Sequence, residues 1–126
     1  MTLRHVVLLR FHPETDAAQR AGVESAFVAL GAQIDEVRSL EWGLDCSPEG
    51  LARGFTHCFS LGFADARDRD AYLVHPAHQA FSAMARSHLA EVLVLDYQAI
   101  AQPGFPPRRG PRVLRSSHPT TTGDES

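Results

Sequence analysis

One seven-residue pattern occurs twice in the chain. His5-Val6-Val7-Leu8-Leu9-Arg10-Phe11 and His57-Cys58-Phe59-Ser60-Leu61-Gly62-Phe63 both read His-x-apolar-x-Leu-x-Phe. Alternation of this kind puts every second side chain on one face of a strand. Leu3, His5, Val7, Leu9 and Phe11 therefore share a face, while Arg4, Val6, Leu8 and Arg10 take the other, which is half apolar. Two similar strands, one near the start and one near the middle, imply two similar halves.

The segments between and after these strands complete the pattern. Val23, Phe27, Leu30 and Ile34 recur at helical spacing, and Thr15 or Asp16 can cap such a helix. Val37 to Cys46 reads as a second strand with Leu40, Trp42 and Leu44 on one side. Pro48, Gly50 and Gly54 mark a loop before the third strand, Thr56 to Phe63. Arg67 to Val74 reads as a short helix. Pro76 suits the first position of another, running to about Ala90. Val92 to Gln98 is the last strand. The order β-α-β-β-α-β predicts a ferredoxin-like α+β fold. In this reading strands one and three are central, parallel neighbours, so His5 and His57 lie side by side at the same end of one face.

Length and composition agree with one domain. The chain has 126 residues and is 44% hydrophobic, enough for a core but small enough that a partner chain would cover useful apolar surface. No stretch reaches the ~18 apolar residues of a membrane span. Arg4, His5 and Arg10 interrupt the first apolar run, so no signal peptide is expected and the protein reads as cytoplasmic. Cys46 and Cys58 form no metal or disulfide framework. All twelve basic residues are arginine, which excludes Schiff-base catalysis and a phosphate-loop lysine. Residues 1–100 hold eight arginines against thirteen carboxylates, an acidic balance that argues against a nucleic-acid surface. Residues 101–126, with five prolines and four arginines, have little to bury. The expected division is a domain over 2–99 and a disordered Pro/Arg-rich tail over 100–126.

The chemistry centres on His75-Pro76-Ala77-His78. Pro76 starts the helix, so His78 falls in its first turn, where the helix dipole disfavours imidazolium. A neutral imidazole is what a general base requires near pH 7. Tyr72, just before this turn, brings a phenol able to donate to a carbonyl or a developing enolate. His5, His57, Tyr72 and His78 are expected to converge on one cavity between sheet and helices. Asp96, the only charge in the Val92–Tyr97 run, can orient an imidazole or bond an arginine or backbone group. The candidate catalytic residues are His78, Tyr72 and Asp96; the candidate substrate contacts are His5, His57 and His75. No H-E-x-x-H, C-x-x-C, G-x-S-x-G or glycine-rich dinucleotide motif is present, so neither a metal nor another cofactor is expected.

These segments resemble the stress-responsive A/B barrel (Dabb) family over residues 2–99. The similarity lies in the opening His5–Phe11 strand, in Gly43-Leu44-Asp45-Cys46-Ser47-Pro48-Glu49-Gly50, and in Gly54-Phe55-Thr56-His57. Its most specific part is Tyr72-Leu73-Val74-His75-Pro76-Ala77-His78-Gln79-Ala80-Phe81, and Leu95-Asp96-Tyr97 closes it. The resemblance implies a dimeric α/β barrel whose two copies pair sheet to sheet, which would account for Val6 and Leu8 on the second strand face. It also implies a site like that of the family's polyketide cyclases, which close a linear polyketide thioester by a cofactor-free, aldol-type condensation. In that site His78 would be the acid/base, supported by Asp96. Tyr72 would orient substrate, and His5 and His57 would line the pocket. Three functions are compatible with the residues: a small-molecule enzyme of this cyclase or lyase type, a non-catalytic stress-responsive or ligand-binding dimer, and a cofactor-free monooxygenase or isomerase of the wider barrel superfamily. The expected partners are a second copy and a small-molecule ligand, with no nucleic acid and no membrane.

Overall fold

Strand β1 (Leu3–Phe11) alternates buried and half-buried residues along most of its length, as its sequence pattern predicts. The computed structural model describes residues 2–105. Helix α1 (Ala17–Gln33) follows. Its cap is Asp16, whose side chain accepts from the Gln19 N–H while the Gln19 side chain accepts from the Asp16 N–H. This reciprocal pair satisfies two amides that the first turn leaves unpaired. Thr15, the other possible cap, instead donates its hydroxyl to the His88 carbonyl. Val23, Phe27, Leu30 and Ile34 are buried against the sheet, and Phe27 stacks on Phe59 with ring centroids 4.0 Å apart.

Strand β2 (Ser39–Leu44) is shorter than its apolar pattern suggested, and β3 (His57–Phe63) pairs with it from Leu44↔His57 to Ser39↔Gly62. In the loop between them Gly54 has φ +83°, and a Cβ there would meet the Arg10 side chain at 2.7 Å. Only glycine combines this left-handed backbone with so close an approach. Helices α2 (Ala66–Val74) and α3 (Pro76–Arg86) meet at His75. Strand β4 (Leu89–Gln98) begins three residues earlier than the sequence suggested, and α3 ends correspondingly sooner. The cause is pairing: the long β1 offers backbone partners to β4 as far as Phe11↔Leu89.

The four strands form one antiparallel sheet in the order β2-β3-β1-β4, with the helices packed on one face. This is the expected ferredoxin-like α+β architecture, with one correction. Strands β1 and β3 are adjacent and antiparallel, not parallel. The chain reverses between β2 and β3, so β3 must run against both β2 and β1. The register therefore places His5 opposite Leu61 and Leu9 opposite His57. The two histidines share a face but are displaced by four residues, roughly 13 Å along the strands at ~3.3 Å per residue.

The core comprises Leu3, Val7, Leu9, Phe59, Leu61 and Phe63 from the sheet, with α1, Tyr72 and Ala85 above them. No helix among the described residues is long and apolar enough to cross a membrane. Of the expected tail, residues 100–105 are exposed and outside any helix or strand; the rest of that segment lies outside the described residues.

Candidate functional site

A cavity of about 660 Å³ lies between the sheet and helices α2 and α3. Its apolar walls include Val7, Leu9, Phe27, Phe81, Ala85 and Val94, and its polar end carries His5, Arg69, Tyr72, His78 and Asp96. The helices do not cover the inner side of β4, where Val94 remains 51% exposed. A large apolar space with a few convergent polar groups is the usual form of a small-molecule site.

His5 and Asp96 are direct cross-strand partners on β1 and β4, so both project into the cavity. His5 Nδ1 lies 2.7 Å from Asp96 Oδ1. A carboxylate only accepts, so His5 donates from Nδ1, which leaves Nε2 outside this pair. The other oxygen of Asp96 accepts from Arg69 Nη1 at 2.9 Å. Asp96 thus serves His5 and not His78, contrary to the expected support of His78. Register decides this, because Asp96 faces His5 across the strand pair.

Tyr72 is 1% exposed and stands between the two imidazoles. Its ring centroid is 5.8 Å from that of His5 and 4.6 Å from that of His78. Burial raises the phenol's pKa well above its ordinary value, so the hydroxyl stays protonated and able to donate. His78 is in the first turn of α3, as Pro76 dictates. Its Nδ1 is buried with no side-chain hydrogen-bond partner. Desolvation lowers its pKa, the Leu73 backbone opposes that shift, and the charge of His5 adds to it. The net result is an imidazole biased toward its neutral form, with its ring tilted against the Tyr72 phenol.

Two expected contacts lie elsewhere. His57 Nε2 is 2.7 Å from Glu24 Oε2, and its Nδ1 is 2.7 Å from the Thr56 hydroxyl. Both nitrogens are engaged at the opposite end of the sheet, in a separate groove with Phe11 and Arg20. His75 caps α3, its Nδ1 accepting from the Ala77 N–H at 3.0 Å, and it does not line the cavity. Trp42 stacks on Phe59 and His57 at the half-exposed edge of the core. Two residues were not anticipated. Arg69 lies three positions before Tyr72 on α2, a spacing that places both on one helix face, so the sequence did carry that signal. Glu24 carried none, since its link to His57 joins two elements distant in the chain.

The fold recurs in known proteins. Olivetolic acid cyclase from Cannabis sativa is 29% identical over 97 residues, covering 77% of this chain and 96% of the cyclase. The solved hydroxynitrile lyase from Passiflora edulis superposes with a TM-score of 0.73 at 25% identity, covering 83% of this chain and 97% of the lyase. A dimeric ferredoxin-like protein of unknown function from Thermobifida fusca gives a TM-score of 0.66 at 27% identity, over 79% of this chain and 92% of its own. The profile of the Stress responsive A/B Barrel Domain family matches residues 3–99, and the chain is a member of that family.

Proposed function

We propose that the protein is a cofactor-independent enzyme that moves a proton on a carbonyl-containing small molecule, with aldol-type ring closure of a polyketide-like substrate as the leading reaction. The observation that carries this reading is the buried Nδ1 of His78, without a side-chain partner, on a ring tilted against the Tyr72 phenol at the polar end of a cavity with apolar walls. Neutral His78 takes a proton from the carbon between two carbonyls. The C–H electron pair moves into the enolate, whose oxygen accepts a hydrogen bond from Tyr72. The carbon end of the enolate attacks a distal carbonyl carbon of the same molecule, and the new alkoxide recovers the proton from His78. Protons and electrons balance without an external reagent. Similarity to a cyclase and to a hydroxynitrile lyase supports the reading, since both names denote chemistry at a carbonyl or a group derived from one.

The working unit in this reading is a homodimer. Val6↔Leu95 and Leu8↔Leu93 pair on the outer face of the sheet, where Leu95 is 61% exposed. A matching structure is described as dimeric, and a second copy seated on this face would bury it.

The test is a screen of linear poly-β-keto thioesters and simpler 1,3-dicarbonyls for ring closure and for exchange of the activated C–H in D2O. Replacing His78 with Ala is expected to lower an activity found this way by about 10²- to 10⁴-fold while the thermal midpoint is retained. Turnover at the parental rate in that variant would remove His78 from the mechanism.

A further inference from the structure

We propose that Arg69 is the positioning residue of this site: by holding the far oxygen of Asp96, it locks the carboxylate against His5 so that His5 presents its Nε2 lone pair to the cavity as a second proton acceptor. The proposal rests on the enzymatic reading above and extends it from one imidazole to two.

The geometry is a short chain of contacts. Arg69 Nη1 donates to Asp96 Oδ2 at 2.9 Å, and Asp96 Oδ1 is 2.7 Å from His5 Nδ1. The Arg69 and Asp96 side chains are 22% and 21% exposed, so this pairing is partly shielded from water. Arg69 also donates from Nε to Asp70 at 3.0 Å, which fixes the guanidinium plane from a second side. A planar fork pinned by two carboxylates holds a direction that a flexible ammonium would not.

Orientation and charge both follow. Alone, Asp96 could rotate and release His5 Nδ1, leaving the imidazole free to turn. Arg69 supplies a counter-charge to that carboxylate. The groups facing His5 are Asp96 from β4, Arg69 and Tyr72 from α2, and His78 from α3; Leu61 and Phe63 of β3 are apolar. Desolvation chiefly, and charge on His5 to a lesser extent, disfavour protonation of His78, so the way His5 is held bears on His78. Arg69 therefore sets how His5 is held, although it takes no proton itself.

The experiment is ¹⁵N-¹H NMR of the histidine rings in the full chain without substrate, comparing the parent with Arg69→Met and Arg69→Lys. In the parent, His5 is expected to show the Nδ1–H tautomer. In Arg69→Met the His5 signals should move toward a mixture of tautomers; Arg69→Lys should restore much of the parental pattern. If Arg69→Met does not fold, Arg69→Gln should give the same change at smaller size. With an assayed substrate, kcat should fall about ten- to a hundredfold with little change in KM. Identical His5 signals in parent and variant would overturn the proposal. A kcat loss with unchanged His5 signals would overturn it too, making Arg69 a direct substrate contact. Changed ring signals in a protein with no activity would uphold Arg69 as the orienting group and count against the enzymatic reading instead.

Discussion

At the scale of single residues, His78 determines how the site responds to pH. Its pKa in the folded protein is lowered, chiefly by desolvation, whereas in the unfolded chain it titrates near 6.5. Above that pH both states are neutral and folding is not penalised. As pH falls through 6.5 the unfolded chain gains a proton that the folded protein resists, so stability declines toward the lowered folded value. Urea titrations at pH 7.5 and 5.5 should show a smaller pH-dependent loss in His78→Phe than in the parent. Equal losses in the two proteins would mean that the His78 ring is effectively solvated. Tyr72 behaves oppositely, because burial favours the neutral phenol and keeps it a donor wherever His78 is a base. Both roles are partly legible in the chain: the Pro76 signal placed His78 in a first turn, but only packing leaves its Nδ1 buried without a side-chain partner.

At the scale of elements, the internal repeat yields two histidines with carboxylate partners at equal distances and different fates. His5 pairs with Asp96 inside the cavity, and His57 pairs with Glu24, tying β3 to α1. The second pair is a clamp, since both nitrogens of a nearly buried imidazole are already bonded. Replacing Glu24 with Ala leaves Nε2 without its acceptor and is expected to cost about 1–2 kcal/mol in chemical denaturation, discounted for the partial exposure of the carboxylate. Activity per folded molecule should be nearly unchanged, because Glu24 is remote from the cavity. A large loss of activity at full stability would place His57 in the chemistry after all. Strand alternation showed which face each histidine takes. It could not show the end of the sheet, which depends on the direction of β3.

At the scale of the whole molecule, β4 connects the two proposed surfaces. Its inner side, through Val92, Val94 and Asp96, lines the cavity, while Leu93, Leu95 and Tyr97 point outward. An edge strand apolar on both faces is a pairing hazard unless something covers it. The proposed homodimer would supply that cover. Replacing Leu95 with Arg should shift the particle from dimer to monomer in sedimentation velocity, with a lower and concentration-independent thermal midpoint. A persistent dimer would move the interface away from this face.

The sequence by itself determined the elements, their order and the buried face of β1 and β3, because hydrophobic period and helix-start residues act locally. It also placed Tyr72 and His78 on either side of one helix boundary. Only the tertiary structure decided that Asp96 and Arg69 serve His5, that His57 belongs to Glu24, and that His75 is a cap. Those outcomes depend on register and strand direction, which bring together residues far apart in the chain, and a one-dimensional pattern contains no term for them.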